Sequence, residues 1–441
     1  MDTDARFIPL FREAAPYIHA FRTQTFVIAF NGGLVDSPRF ALFAQDLSLL
    51  AGLGIRIVLI HDAQPQVRAQ LATQQLQGGF YGGRCIFGGA SMRAFKQGVG
   101  GVRAEIEAQL SAGAPHFPMA GAKLRVAGGN YLVASPLGVL DGVDMLGAGC
   151  LRRIDDEGIR QRLDAGELVL LSPLGYSPTG ESFSLALEDV AAETATALKA
   201  DKLIFLLDID DGIRDAQGQL QRAFTPADGG RWLHEQGGHL AEGVRLCMAG
   251  ALRAVAAGVA RAHLIGEACD EALLRELFTR TGSGTAISAA PLVNVRAARD
   301  TDLDALVALT APLIDCGKLV ARGRAELARS LEHYFVLEHD GQAAGCVALH
   351  PFPADGMAEL ACLAVGTRWQ RRGFGDLLLD HVEHAARDAG LSRLFVLTTQ
   401  TAQWFVERGF TEASPAALPA AKRAAYNARR RSKVFVRPVA G

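Results

Sequence analysis

The segment from Gln370 to Gly375, which reads Gln-Arg-Arg-Gly-Phe-Gly, constrains the fold of this 441-residue chain more than any other. It joins an apolar, strand-like run at 359–365 to a helix-like run at 376–389. Its two glycines let a ligand approach the backbone, and the N-terminus of the following helix attracts anions through unpaired N–H groups. The order of strand, basic glycine turn and helix therefore predicts an α/β fold with a phosphate-binding turn.

A second α/β region lies near the N-terminus. An apolar strand at 26–30, a Gly-Gly turn, a helix at 39–53 and another apolar strand at 55–60 follow one another. This order is typical of a βαβ unit in a mostly parallel sheet. Further buried strands are predicted at 167–172, 201–208 and 262–265.

One connection in this region is predicted to be a β-hairpin. The sequence Ala127–Asn130 contains two glycines and an asparagine, residues that favour tight turns. It lies between strand-like runs at 123–126 and 131–135. A short turn between two such runs is typical of antiparallel strands.

Composition marks four segments along the chain. Residues 1–22 carry apolar side chains at helical spacing and predict an amphipathic helix. A large α/β domain then fills residues 23–288, and a Gly-Ser-rich stretch followed by Ala-Ala-Pro marks its end. We therefore expect a linker at 289–292 and a second domain at 293–441.

The charge balance and the cysteines exclude several classes of protein. With 45 basic and 47 acidic residues, the net charge of -2 gives no general attraction to nucleic acid or to anionic membranes, so a small-molecule partner is expected. The seven cysteines form no Cys-x-x-Cys pair, which argues against a zinc site and a disulfide framework, and we expect no metal. Because no apolar run could span a bilayer and the N-terminus lacks a signal-peptide pattern, a cytoplasmic location is expected.

The C-terminal third resembles the Gcn5-related N-acetyltransferase family. The resemblance begins near Val293–Asp300 and includes the turn described above, the apolar strand at 394–398 and the segment Trp404–Phe410. In that family the turn grips the pyrophosphate of acetyl-coenzyme A, and N–H groups of the preceding strand polarise the thioester carbonyl. The residues that the resemblance assigns to acetyl-CoA are Leu363, Ala364, Val365, Gln370, Arg371, Arg372, Gly373, Phe374 and Gly375.

The larger N-terminal domain resembles the amino-acid kinase family, and its acetylglutamate kinase branch in particular. The resemblance rests on the motif Tyr176–Phe183, the segment 191–204 and the Gly-Ser-Gly stretch within 281–285. The family places a lysine before the Gly-Gly turn, where cations must neutralise phosphate, whereas this chain has Ala29 there. His61–Pro65 replaces the second glycine-rich loop and adds a carboxylate. These departures imply a domain that keeps the kinase fold and has lost catalysis.

Arginine-sensitive members of this branch share four residue types that this chain also has. They combine an N-terminal helix that carries a tyrosine with a histidine, a glutamate and a glycine near the end of the domain. The matching residues are Tyr17, His263, Glu276 and Gly282. Since a glutamate can pair bidentately with a guanidinium, the resemblance implies an allosteric arginine site.

A kinase-like domain followed by an acetyltransferase domain is the layout of the bacterial N-acetylglutamate synthase family. The resemblance implies an α/β chain, an amino-acid kinase-like sandwich with a mostly parallel sheet followed by a Gcn5-related N-acetyltransferase fold. The implied reaction transfers acetyl from acetyl-CoA to the α-amine of L-glutamate, the first step of arginine biosynthesis, with L-arginine as regulator. The N-terminal helix resembles the one that links dimers into hexamers in arginine-sensitive relatives, so a homo-oligomer is expected.

Acetyl transfer to an amine requires a general base, a proton donor for the leaving thiolate and residues that bind the acceptor. An amine attacks a thioester only as the free base, so a general base is required, and the resemblance places it at Glu359. Thr398 matches the hydroxyl that protonates the leaving thiolate, and Phe405 stands where many relatives have a tyrosine. Selective binding of a dicarboxylate needs cationic contacts at a fixed separation. The residues that match the family's substrate contacts are Arg322, Lys422, Arg430 and Ser432.

Three other functions stay open on the sequence. An amino-acid-regulated protein-lysine acetyltransferase would need an acidic groove where this chain has basic residues. A bifunctional kinase and synthase would need the missing lysine. A non-catalytic arginine sensor would not need the intact Gln370–Gly375 turn or Glu359. No motif marks a covalent nucleophile, and Cys362 lies in an apolar strand, so we expect direct transfer in a ternary complex.

Overall fold

The structure is a computed structural model that describes residues 3–111, 124–268, 271–279, 282–291, 293–339, 341–427 and 431–439. It divides into two compact units, Met1–Pro291 and Leu292–Gly441. Among the described residues, no helix combines the length and the apolar character needed to cross a membrane.

The first unit alternates helices and strands along most of its length. Its described helices are α1 (Thr3–Phe21), α2 (Phe40–Gly52), α3 (Gln64–Thr73), α4 (Ala90–Leu110), α5 (Asp156–Asp164), α6 (Leu187–Leu198), α7 (Pro226–Gln236), α8 (Glu242–Ala256) and α9 (Ala272–Phe278). Its described strands are β1 (Thr25–Phe30), β2 (Arg56–His61), β3 (Gly79–Tyr81), β4 (Arg84–Ile86), β5 (Val126–Gly128), β6 (Leu132–Pro136), β7 (Val139–Leu140), β8 (Val143–Asp144), β9 (Gly149–Ile154), β10 (Leu168–Leu171), β11 (Leu174–Tyr176), β12 (Ser182–Ser184), β13 (Lys202–Leu207), β14 (Ala223–Phe224), β15 (Arg261–Gly266) and β16 (Thr285–Ser288).

The main sheet of this unit has, in the described residues, the strand order β14-β16-β15-β13-β1-β2-β10-β5. Every ladder is parallel except the one between β15 and β16. Strand β1 is buried at every position, because helices cover both faces. Val27 and Ala29 pack with residues of α5, α6 and α8, whereas Phe26 and Ile28 pack with residues of α2, α4 and α9. The predicted βαβ unit at 25–60 is confirmed.

The predicted hairpin around Ala127–Asn130 is wrong. Strand β5 pairs in parallel with β10 at the edge of the main sheet. Strand β6 belongs to a second sheet with the order β12-β11-β6-β9. The glycine-rich segment therefore connects the two sheets. Each flanking strand pairs with a strand that lies further along the chain, and the local sequence does not determine this pairing.

The second unit is built around one sheet, which has seven strands in the described residues. Its described helices are α10 (Leu303–Asp315), α11 (Arg324–Arg329), α12 (Phe374–Asp388), α13 (Ala402–Val406) and α14 (Ala420–Ala424). Its described strands are β17 (Val293–Ala297), β18 (Tyr334–His339), β19 (Gln342–Phe352), β20 (Met357–Val365), β21 (Arg393–Thr398), β22 (Thr411–Ala413) and β23 (Lys433–Pro438). Their order in the sheet is β17-β18-β19-β20-β21-β23-β22.

Helix α12 is the crossover that joins β20 to β21 and makes these two strands parallel. Its buried residues Leu378, Val382 and Ala386 pack with Val347 and Leu360 in one apolar cluster. The predicted order of strand, turn, helix and strand is confirmed. Strand β20 begins two residues earlier than the predicted run, so Glu359 lies inside the strand rather than at its start.

Candidate functional site

The central feature of the second unit is the place where β20 and β21 separate. Their parallel register runs from the pair Met357–Arg393 to the pair Glu359–Phe395 and ends there. Both strands continue beyond this pair, β20 toward Val365 and β21 toward Thr398. Since backbone N–H groups at the inner edges of a splayed pair have no ladder partner, the gap can receive a polar ligand.

A β-bulge shapes the wall of this gap. On β19 and β20, Ala348 pairs with Ala361 and Cys346 pairs with Ala364, so Cys362 and Leu363 face a single residue of β19. Cys362 has a φ of 51°, a left-handed conformation that is rare for a side chain of this kind. A bulge redirects the backbone, and the N–H group of Leu363 falls outside the regular ladder.

The Gln370–Gly375 turn caps the N-terminus of α12. Gly373 is the N-cap residue, with a φ of 77° and no side chain to occupy the first N–H groups, which leaves them for a ligand. Arg372 stacks on Trp369, with 5.3 Å between the guanidinium carbon and the ring centroid. A Cβ atom at position 375 would lie 3.1 Å from the Trp404 ring. Gly375 therefore also allows Trp404 to pack, a role that the sequence did not indicate.

The candidate base Glu359 forms a buried ion pair. Its side chain is 8% exposed, and its Oε2 atom lies 2.6 Å from the Nζ atom of Lys422 in α14. Lys422, which was predicted to bind the substrate, contacts the predicted base Glu359 in this structure. A buried carboxylate needs a counter-charge, and Lys422 supplies it.

A second group of polar side chains lies beside this pair. It includes Tyr334, His350 and Cys362, which the sequence did not single out as site residues. The Nη1 atom of Arg322 donates to the Tyr334 hydroxyl at 2.7 Å and lies 3.2 Å from Nε2 of His350. Tyr334 is fully buried, and its hydroxyl donates to the Cys362 sulfur at 3.4 Å. His350 is the cross-strand partner of Glu359. Only the register of β19 against β20 could have identified it.

His350 is neutral in this arrangement. Burial lowers its pKa from 6.5 to about 4, and the nearby charges of Arg322 and Lys422 act in the same direction. A neutral imidazole can accept the hydrogen bond from Arg322, because its Nε2 atom then carries a lone pair. His350 and Tyr334 therefore hold the Arg322 guanidinium in one orientation.

The remaining predicted site residues have varied surroundings. Thr398 is buried at the end of β21, and its hydroxyl bonds the Thr401 hydroxyl at 2.8 Å. The Ser432 carbonyl accepts a hydrogen bond from the Tyr426 hydroxyl at 2.7 Å. Arg430 lies outside the described residues. In the part of the chain that is described, no group of three or more His, Cys, Asp or Glu side chains is placed to hold a metal ion.

The first unit brings three of the four predicted effector residues together. The Nδ1 atom of His263 lies 2.6 Å from Oε1 of Glu276, and both side chains are 5% exposed. Oε2 of Glu276 accepts the backbone N–H groups of Ser283 at 2.6 Å and Gly284 at 2.8 Å. Gly282 has a φ of 59°, and a Cβ atom there would lie 2.5 Å from Glu276. Glycine is required because any side chain would displace the carboxylate.

Lys202 connects this cluster to the N-terminal helix, and the sequence did not single it out as a site residue. Its Nζ atom lies 3.4 Å from Nε2 of His263 and 5.0 Å from the ring centroid of Phe21 in α1. Tyr17 is the fourth predicted effector residue, and its ring lies 6.0 Å from that of Phe21. The predicted effector residues thus belong to one connected set, because Lys202 and Phe21, which lie far apart in sequence, join them.

His263 and Glu276 differ in charge near neutral pH. Burial lowers the pKa of His263 from 6.5 to about 4, helped by the charge of Lys202. Burial alone would raise the pKa of Glu276, but hydrogen bonds from His263 and the Ser283 and Gly284 backbone lower it to about 2. Near neutral pH the cluster is therefore a carboxylate beside a neutral imidazole.

We predict that His263 makes the first unit less stable in mild acid. The unfolded chain takes up a proton as the pH falls below 6.5, whereas folded His263 takes one up only near pH 4. The free energy of unfolding should fall with pH across this window, and His263→Gln should reduce that slope by up to about 1.4 kcal/mol per pH unit. Urea unfolding at several pH values measures it, with the exposed His234→Gln as control. Parallel pH profiles for wild type and His263→Gln would contradict the assignment.

Comparison with known proteins identifies both units. The model of the acetyltransferase (GNAT) family matches residues 309–410, and that of the amino acid kinase family matches residues 24–266. The amino-acid acetyltransferase of Ralstonia nicotianae is 44% identical over 432 residues, which is 98% of this chain and 95% of that protein. That of Pseudomonas putida is 44% identical over 433 residues, with coverages of 98% and 99%.

Two solved structures match over the same length. N-acetylglutamate synthase from Neisseria gonorrhoeae, complexed with coenzyme A and L-arginine, has a TM-score of 0.88, is 37% identical and covers 99% of this chain and 100% of its own. The same protein complexed with coenzyme A and N-acetyl-glutamate has a TM-score of 0.63 with the same identity and coverage. The predicted fold class, a kinase-like domain followed by an acetyltransferase domain, is confirmed. The chain belongs to the amino-acid acetyltransferase family.

Proposed function

We propose that this chain is an N-acetylglutamate synthase, which transfers acetyl from acetyl-CoA to the α-amine of L-glutamate. The observation that carries the proposal is the buried Glu359 at the point where β20 and β21 separate, with Lys422 and Arg322 beside it. A carboxylate next to two cations fits an acceptor that has an amine to deprotonate and carboxylates to bind. The full-length likeness to a synthase complexed with coenzyme A supports the same reaction.

In the proposed mechanism Glu359 is the general base. It removes a proton from the substrate ammonium, the free amine attacks the thioester carbonyl, and the C–S bond breaks as the amide forms. The N–H group of Leu363 stabilises the oxyanion, since the bulge takes it out of the ladder. Thr398, at the end of β21, protonates the leaving thiolate and takes in exchange the second proton of the attacking nitrogen, so its hydroxyl is restored and the first proton stays on Glu359.

Acetyl-CoA is the proposed co-substrate, and its pyrophosphate occupies the Gln370–Gly375 turn. The N–H groups of the first turn of α12 and the guanidinium of Arg371 neutralise its charge. The strand residues Leu363, Ala364 and Val365 face the acetyl and pantetheine portion. No metal is needed for this chemistry.

Arg322 and Lys422 are the proposed cations for the carboxylates of glutamate. Lys422 exchanges its contact with Glu359 for one with the substrate, which frees the base when the acceptor binds. Arg322 is held by Tyr334 and His350 before substrate arrives, so its binding costs little side-chain entropy. Arg430 and Ser432 complete the proposed substrate contacts.

We predict that Arg322→Lys raises the KM for L-glutamate by about 10-fold to 100-fold and changes kcat little. A lysine cannot form a fork with a carboxylate, and it also loses the contacts to Tyr334 and His350. Steady-state kinetics with glutamate varied at saturating acetyl-CoA measures the effect. The exposed Arg324→Lys, which replaces the guanidinium that pairs with Asp304, serves as control. An unchanged KM in Arg322→Lys would remove Arg322 from the acceptor site.

L-arginine is the proposed effector, bound at Tyr17, His263, Glu276 and Gly282. A buried carboxylate with a neutral histidine beside it is a suitable partner for a guanidinium, because charged hydrogen bonds are strong where water is excluded. The likeness to a synthase that is complexed with L-arginine supports this assignment.

The test of the proposed function is thiol release from acetyl-CoA. The acceptors are L-glutamate, a panel of other amino acids and a lysine-containing peptide, each with and without L-arginine. Release that requires glutamate and changes with arginine supports both assignments. Release with the peptide alone would instead identify a regulated protein-lysine acetyltransferase, and no release with any acceptor would leave the arginine sensor.

We also propose that the chain has four segments: an N-terminal helix at 1–22, a kinase-like regulatory domain at 23–288, a linker at 289–292 and an acetyltransferase domain at 293–441. We further propose that the protein is a cytoplasmic homo-oligomer, specifically a hexamer. Helix α1 exposes large apolar side chains, with Ile8 48% exposed, and such residues often lie in interfaces between subunits. Light scattering at working concentration tests the assembly. A stable monomer or dimer would contradict the hexamer.

A further inference from the structure

Tyr334 contacts both halves of the proposed catalytic site, the cation that binds the acceptor and the strand that carries the oxyanion donor. It is the first residue of β18 and is fully buried. Its hydroxyl oxygen accepts a hydrogen bond from Nη1 of Arg322 at 2.7 Å, and its proton is donated to Sγ of Cys362 at 3.4 Å. One side chain therefore connects the proposed acceptor site to the β-bulge of β20.

Small residues in the neighbouring strands allow Tyr334 to reach the bulge. Tyr334 pairs with Ala348 of β19, and Ala348 pairs with Ala361 of β20, so the tyrosine side chain must cross β19. The apolar cluster that contains Tyr334 has alanines at 348 and 364 and a cysteine at 346. Larger side chains at these positions would fill the space that the tyrosine ring needs.

Cys362 is the residue of the bulge whose backbone conformation is least favourable. Its φ of 51° lies in the left-handed region, which a residue with a side chain keeps only where its surroundings hold it. Its sulfur accepts the Tyr334 hydroxyl, and its carbonyl oxygen accepts the thiol of Cys346 at 3.6 Å. The next N–H group along the chain is that of Leu363, the proposed oxyanion donor. The contacts that hold Cys362 therefore also hold this N–H group.

The Tyr334 hydroxyl uses both its proton and its oxygen in these contacts. A phenol has a single proton to donate, and here that proton goes to Cys362 while the oxygen accepts from the cationic Arg322. A hydrogen bond received from a cation polarises the hydroxyl and strengthens the bond that it donates. Burial raises the pKa of the hydroxyl, so the proton stays on Tyr334 near neutral pH.

We propose that Tyr334 is a positioning residue, which holds the N–H group of Leu363 in place through Cys362 and fixes it relative to the acceptor bound by Arg322. Both roles belong to the acetyl transfer proposed above, on which this inference rests. An oxyanion donor acts in the transition state, so its displacement lowers kcat, whereas a displaced Arg322 weakens binding of the acceptor. A tyrosine that only filled space in the core would affect neither constant.

The first test is Tyr334→Phe, which removes the hydroxyl and keeps the ring. It should lower kcat for acetyl transfer to L-glutamate by about 10-fold and raise the KM for L-glutamate by about 10-fold. The affinity for CoA, measured by calorimetry, should stay at the wild-type value. Tyr81→Phe is the matched control, because its hydroxyl bonds Asp141 at 3.0 Å in the first unit and its loss should change neither constant.

A double-mutant cycle with Cys362→Ala tests the path through the bulge. Cys362→Ala removes the acceptor of the Tyr334 proton, so it should lower kcat about as much as Tyr334→Phe does. The double variant should then fall no further, because both substitutions break the same contact. Losses of kcat that multiply in the double variant would overturn the proposal, as would a wild-type kcat in Tyr334→Phe. If Tyr334→Phe does not fold, a wild-type kcat in Cys362→Ala would overturn it.

Hydrogen exchange provides a measurement that does not depend on turnover. Backbone amides in the peptide 360–366 should exchange about 10-fold faster in Tyr334→Phe than in the wild type, whereas those of β23 should be unchanged. Equal exchange in the peptide 360–366 would overturn the proposal whichever acceptor the enzyme uses. Faster exchange in this peptide, together with a wild type that releases no thiol with L-glutamate, would support the link from Tyr334 to the bulge and contradict only the proposed function.

Discussion

Glu359→Gln should lower kcat for acetyl transfer to L-glutamate by about 10²-fold to 10⁴-fold, the range typical of losing a general base. The amide has nearly the shape of the carboxylate but cannot take the proton of the substrate ammonium. Acetyl-CoA affinity should be unchanged, because the Gln370–Gly375 turn lies beyond the far end of β20. Thiol release measures kcat, and calorimetry with CoA measures binding.

The control for this variant is Glu412→Gln. Glu412 pairs with Lys433 at 3.0 Å, much as Glu359 pairs with Lys422, but it is 56% exposed and lies on β22. Both substitutions leave a lysine without its partner, so a general effect of breaking an ion pair would appear in both. Unchanged turnover in Glu359→Gln, with CoA binding intact, would remove Glu359 as the base.

Glu276→Gln should weaken the response to L-arginine by about 10²-fold or more in arginine concentration, while acetyl transfer without arginine continues. A guanidinium buried against an amide instead of a carboxylate is left uncompensated, which costs several kcal/mol. The amide oxygen can still accept the N–H groups of Ser283 and Gly284, so the loop should keep its conformation. Arginine titrations of the thiol-release rate give the effect.

Glu271→Gln is the matched control for Glu276→Gln. Glu271 lies at the start of the same helix, α9, and pairs with Arg275, but it is 76% exposed. Its substitution should leave the arginine response as it is in the wild type. If Glu276→Gln responds to the same arginine concentrations as the wild type, the effector does not bind at this cluster. Loss of the arginine response in both variants would point to a general effect on the helix.

Much of the local structure follows from the sequence alone. Short-range patterns predict the elements of the βαβ unit at 25–60, because the spacing of apolar residues in a helix or strand can be read from neighbouring residues. The same holds for the order of β20, turn, α12 and β21. Glu359 was also identified in the sequence, although its importance came from a resemblance and not from its spacing.

The contacts of the candidate sites were decided by the tertiary structure. Lys422 is 63 residues from Glu359, and Lys202 is 61 residues from His263. His350 faces Glu359 through the register of two strands. The failed hairpin at Ala127–Asn130 has the same origin, because β5 and β6 pair with distant strands. Periodicity is local and determines which element forms, whereas pairing, burial and charge depend on residues that only the folded chain brings together.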